Sequence, residues 1–127
     1  MRHSVLLLLP LALTLALEAD SAGAAQGSED AGAIVHVVKV QGVIDPALSG
    51  FVRDVLADAR TNSTVVLQMD SRWGYDEHPE ELARDIRDAR VPVVAWIGPS
   101  GARVEGPAIA VVGSTALQAV APGAGVG

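Results

Sequence analysis

The sequence predicts an α/β domain built on a parallel sheet with covering helices. Three observations carry this reading. β-branched, nearly uncharged runs occupy residues 34–40, 65–69 and 93–97, stretches of helical period separate them, and the connections are short. A strand can return parallel to its predecessor only through a covering crossover, and such crossovers are right-handed. Strand, helix, strand, helix, strand is therefore one parallel layer with helices on it.

Ahead of the domain, residues 1–25 read as an export signal, with positive Arg2 and His3, an apolar run from Val5 to Leu17, then Ala22-Gly23-Ala24-Ala25, with cleavage after Ala24 or Ala25. The run has 13 residues, Pro10 interrupts it, and Glu18 and Asp20 close it. A membrane-spanning helix needs about 20. An uncleaved anchor is the lesser alternative. Residues 26–33, small and polar without period, form a flexible lead-in. One domain, 34–127, follows.

The first strand, 34–40, is broken only by His36 and Lys39 and is ended by Gly42. Asp45-Pro46 starts a helix: the carboxylate accepts first-turn N–H groups, and proline is tolerated at the first helical position. Leu48, Phe51, Val52, Val55, Leu56 and Ala59 make its apolar stripe. Thr61-Asn62-Ser63 turns the chain into a second strand, 65–69, and a loop at 70–77 follows. Pro79 opens a second helix with Glu80 and Glu81 at its positive end and Arg87 and Arg90 at its negative end. Leu82, Ala83, Ile86 and Ala89 are its thin stripe, and Val91-Pro92 leads into the third strand. Beyond Gly98, glycine and proline recur, with a short helix expected at 107–112 and a short strand at 116–120. The chain stops in a glycine-rich turn, so the domain is expected to be incomplete.

Composition narrows the function. The net charge is −6 and there is no basic stripe, which argues against nucleic acid as a partner. Without cysteine, the fold cannot rely on disulfides, and thiol chemistry is excluded. Four aromatic residues, Phe51, Trp73, Tyr75 and Trp96, leave the core to aliphatic side chains. His36 and His78 have no second ligand at metal spacing, so no metal or cofactor is expected. Asp76-Glu77 and Glu80-Glu81 are a solvated helix start, and Asn62-Ser63-Thr64 matches the glycosylation pattern but reads as a turn.

In open parallel sheets, ligands sit beyond the carboxyl ends of the strands. Here those ends lead into Asp70-Ser71-Arg72-Trp73-Gly74 and Gly98-Pro99-Ser100-Gly101-Ala102-Arg103-Val104-Glu105-Gly106. The second stretch with its lead-in, Val-Pro-Val-Val-Ala-Trp-Ile-Gly-Pro-Ser-Gly-Ala-Arg, resembles the ClpP-class, membrane-bound serine protease domain of the NfeD family, a branch of the ClpP/crotonase fold. Three further blocks match in order: Val-Lys-Val-Gln-Gly-Val-Ile-Asp-Pro at 38–46, Val-Val-Leu-Gln-Met-Asp at 65–70, and Ala-Val-Ala-Pro-Gly-Ala-Gly-Val-Gly at 119–127.

The resemblance implies a ClpP/crotonase-like domain over 34–127, and it also shows where this chain departs from the pattern. In the family, Pro-Ser-Gly-Ala-Arg continues Ala-Ala-Ser-Ala-Gly, whose serine is the nucleophile. Gly106 stands at that position. The family's Asp-Thr-Pro-Gly-Gly turn supplies oxyanion-hole donors, and only Asp70 and Gly74 of it persist, with Trp73 in place of its first glycine. Losing one such donor costs about 100- to 1000-fold in rate. The family's lysine base lies beyond the serine, whereas no lysine follows Lys39.

The expectation is a protease-like module without catalytic residues, binding a peptide or a membrane-protein partner in the inherited cleft. Homo-oligomerisation and membrane association follow from the resemblance alone. The alternative is an active serine hydrolase with a displaced nucleophile, Ser100 or Ser114, or with a base from another subunit or a missing C-terminal portion. The segment around Ser100 has the outline of a nucleophile elbow, but Gly-x-Ser-x-Gly fails at Ala102 and no histidine follows His78.

Overall fold

The computed structural model describes residues 32–74 and 78–127. The leader, most of the lead-in, and the acidic pair at 76–77 lie outside the described residues. β1 (Ile34–Ile44), β2 (Ser63–Gly74), β3 (Val93–Ile97) and β5 (Leu117–Val120) form a parallel sheet in the order β1-β2-β3-β5. The parallel α/β class is as the sequence predicts. Two strands of two residues each, β4 (Arg103–Val104) and β6 (Gly125–Val126), extend from the far end of β2.

α1 (Pro46–Asp58) begins as its sequence dictates, with Asp45 Oδ1 accepting from the Leu48 amide at 2.7 Å. Val52 and Leu56 are buried and Leu48 and Val55 pack against the core, whereas Phe51 is 54% exposed. Phe51 thus leaves the predicted stripe: it sits at the margin of a face centred on the i, i+4, i+8 series from Leu48. α2 (Pro79–Arg87) buries Leu82, Ala83 and Ile86. The two helices are joined across the surface by Arg53 Nε and Asp85 Oδ2 at 2.6 Å. α3 (Ala108–Gly113) lies one residue later than expected, and β5 starts one residue later and ends at Val120 as expected.

Both early strands outrun their predicted ends. Gly42 does not end β1. It adopts φ +78° and stands opposite two residues of β2, Ser71 and Arg72, a bulge after which Val43 and Ile44 resume pairing with Trp73 and Gly74. A residue without Cβ enters this region freely. The segment 70–74, expected to be a loop, is consequently strand. Its main chain has partners on two sides, β1 through the resumed register and β4 through Ser71 and Val104. Ser71 Oγ also donates to the Gly42 carbonyl at 2.7 Å and ties the bulge to β1.

The sheet has one covered face. Val38 and Val40 of β1, Val65, Leu67 and Met69 of β2, and Val93, Ala95 and Ile97 of β3 are all buried, in one cluster with Val52, Leu56, Leu82, Ile86, Ala108 and Val111 of the helices. Alternation sends the intervening residues to the opposite side. No described helix lies there.

Candidate functional site

The sequence points to the carboxyl ends of β2 and β3, and their connection is built around small residues. At Gly98 a Cβ would stand 2.5 Å from Trp96 Cε2, so the indole occupies the space a side chain would need. Pro99 to Ala102 form a turn closed by the Ala102 amide on the Pro99 carbonyl at 2.9 Å, with Gly101 at φ +88° in its third position. That is the geometry for which type II turns demand glycine. Ser100 occupies the second position, exposed, with its Oγ 2.9 Å from where a Cβ on Gly123 would be.

After this turn the chain adds β4 to the end of β2. Asp70 Oδ1 accepts from the Arg103 amide at 3.0 Å, and the Glu105 amide donates to the Ser71 carbonyl at 3.0 Å. β6 closes the other side, with the Gly125 amide on the Ala102 carbonyl at 3.0 Å and the Gly127 amide on the Val104 carbonyl at 2.9 Å. The Arg103 guanidinium lies over Gly125 in the space a side chain there would fill. Asp70 is thus an acceptor within β2 that holds β4, a role invisible to spacing in the sequence because its partner lies 33 positions away.

Gly106 follows β4 and precedes α3, exposed and at φ +58°. A Cβ built on it would lie 3.7 Å from the Arg72 carbonyl oxygen. Two of the predicted positions are therefore together in space: Gly106 and the 70–74 segment. The group that this segment turns toward residue 106 is a carbonyl oxygen, an acceptor. Trp73 and Gly74 pair in register with Val43 and Ile44 of β1.

The remaining serine candidate is elsewhere. Ser114 is 6% exposed, and its Oγ lies 2.7 Å from the Ala110 carbonyl and 2.9 Å from that of Val111. It finishes α3 by returning its hydroxyl to the helix's last carbonyls. Thr115 Oγ1 and Gln118 Nε2 reach the Val112 carbonyl at 2.7 and 3.2 Å and complete the seal. A shallow depression lined by Arg87, Arg90, Pro92, Val93 and Ser114 lies at the amino end of β3, the opposite end of that strand from the Gly98–Gly106 connection. His36 is half-buried within β1, and His78 Nδ1 lies 3.5 Å from Glu80 Oε1 with both side chains exposed. Among the described residues, no three of His, Asp and Glu gather as metal ligands, and no helix is long and apolar enough to cross a membrane.

Comparison with known proteins places the fold. A membrane-bound stomatin-specific protease, solved as a lysine-to-alanine mutant in complex with a substrate peptide, superposes with a TM-score of 0.69 at 22% identity over 74% of this chain and 44% of its own. A serine-to-alanine mutant of that protease also gives a TM-score of 0.69, with 46% of its length covered. The membrane protease specific for a stomatin homolog from Pyrococcus horikoshii gives 0.63, with 48% covered. The chain thus spans less than half the length of the solved structures that it matches, and the likeness shows a ClpP-like protease fold. No family model matches the chain, and no curated protein does.

Proposed function

We propose that this chain is a catalytically inactive, serine-protease-like module that acts outside the cytoplasm and binds an extended peptide of a partner, a membrane protein included. The single observation that supports it most is the junction at Gly106. Where the resembled family carries its nucleophile, this chain has no side chain, a left-handed backbone, and the Arg72 carbonyl as nearest neighbour on the adjoining strand. Glycine cannot form an acyl-enzyme. In this connection the outer edge of β6, the last strand in the order β2-β4-β6, is where an extended chain can pair, the main-chain route to peptide affinity. The similar protease solved with a substrate peptide supports a peptide as the ligand class.

The second reading, an active hydrolase, rests on Ser100, which is exposed on a glycine-containing turn just past the end of β3. A fluorophosphonate probe on the full chain separates the two. The inactive module predicts no labelling. Labelling that disappears in Ser100→Ala would establish the hydrolase instead. Gly106→Ser restores a hydroxyl yet leaves the Arg72 carbonyl and the strand-bound 70–74 segment in place. It is expected to remain unlabelled and without peptidase activity, and cleavage of a peptide substrate by that single variant would refute this account of the defect.

A further inference from the structure

β4 carries a cation that the site described above leaves unused. Register partners share a side of the sheet, so Asp70, Arg103 and Gly125 lie on one side of β2, β4 and β6. Asp70 Oδ1 engages the Arg103 amide, while the Arg103 side chain runs the other way, onto β6. A Cβ on Gly125 would stand 3.4 Å from Arg103 Cζ and would collide with Nη1. The guanidinium therefore rests in the space that a missing side chain leaves open. Arg103 is exposed, and no carboxylate among the described residues pairs with it. β6 is also the outermost strand of its order. Gly125 and Gly127 direct their amides to the Ala102 and Val104 carbonyls of the β4 segment, so Val126 between them directs its N–H and C=O to the open side.

We infer that the outer edge of β6 selects an extended peptide in which an acidic residue adjoins an apolar one, with Arg103 taking the carboxylate. The inference rests on the peptide-binding reading above and adds a sequence preference to it. A chain that pairs with Val126 places one of its residues opposite Gly125, on the side where the guanidinium lies. Opposed Cβ positions are about 4.5–5.5 Å apart across a strand pair, a gap that an aspartate or glutamate side chain closes with a charge-assisted hydrogen bond. A lysine there would meet a like charge. The next peptide residue stands opposite Val126, on the side of the buried Val104, where an aliphatic side chain fits. Two carboxylates of the chain share the Arg103 side. Asp70 is two strands from β6, about 10 Å, with Oδ1 engaged by the Arg103 amide. Glu105 is two residues along, about 7 Å, and forms no ion pair among the described residues.

The test uses the full chain and a labelled peptide, Thr-Val-Glu-Val-Thr with blocked ends, beside counterparts carrying glutamine or lysine in place of glutamate. At low ionic strength, anisotropy should show the glutamate peptide binding about three- to fivefold tighter than the glutamine peptide, the range of a partly exposed ion pair. The lysine peptide should bind weakest, and the preference should shrink as salt is added. Arg103→Gln should abolish the preference while leaving the affinity of the glutamine peptide unchanged, and Arg103→Glu should turn the preference toward lysine. Arg87→Gln, exposed on α2, should leave all three affinities unchanged. If circular dichroism shows that the Arg103 variants do not fold, the salt dependence of the preference in the unaltered chain decides. Equal binding of the three peptides, a preference indifferent to salt, or the same loss in Arg87→Gln overturns the inference and leaves the peptide-binding reading standing. Binding of none of them overturns both.

Discussion

Val37 and Val38 are successive residues of β1, identical in type, and they are 59% and 4% exposed. The same contrast runs across β2, where Leu67 is fully buried while Val66, beside it in sequence, is half-exposed. Their strand is the same and their hydrophobicity comparable. The difference lies in what is stacked on each side: three helices on one face, nothing described on the other. A parallel sheet therefore does not bury its own residues. Alternation assigns the sides, and the second layer determines which side is core.

Four substitutions break or sharpen this contrast, and denaturant unfolding measures each. Leu67→Ala on the covered face should cost most, about 3 kcal/mol, because a fully buried leucine leaves a cavity among helices that cannot all close on it. Gly42→Val should cost about 1–2 kcal/mol through the backbone alone, since φ is +78° while no atom stands within 4 Å of the new Cβ. A near-zero effect would mean that the bulge relaxes without it. Asp45→Ala removes the cap of α1, the helix over β1, and should cost about 1 kcal/mol. Val37→Thr, on the bare face, should cost less than about 0.5 kcal/mol. A loss comparable to that of Leu67→Ala would show that the bare face is covered in solution.

Most of the sheet was legible because its signals are local. The strand at 93–97 and the helix starts at Asp45-Pro46 and Pro79 are written in β-branched runs, caps and prolines a few residues apart. The extension of β2 through 74 was not legible. Asp70, Ser71 and Arg72 carry turn-like polarity, and what makes them strand is the supply of partners from β1 beyond the Gly42 bulge and from β4. β4 and β6 were missed for the same reason, since two residues hold no period and their pairing is the whole of their structure. At the candidate site, the family resemblance led to Gly106 and to 70–74 from sequence. The carbonyl that Arg72 turns toward residue 106, and the burial of the Ser114 hydroxyl against Ala110 and Val111, required coordinates.

The amino-acid sequence by itself determined the α/β class, the order of the main strands and helices, the absence of thiol chemistry, and the glycine at position 106. Each of these is a property of residue type or of spacing within one element. The tertiary structure alone decided which face of the sheet is core, that Asp70 holds Arg103 while an acceptor faces Gly106, and that Val37 and Leu117 stay exposed. Those depend on register between strands far apart in the chain, and register is set by the partners that main-chain groups find once the layers have packed.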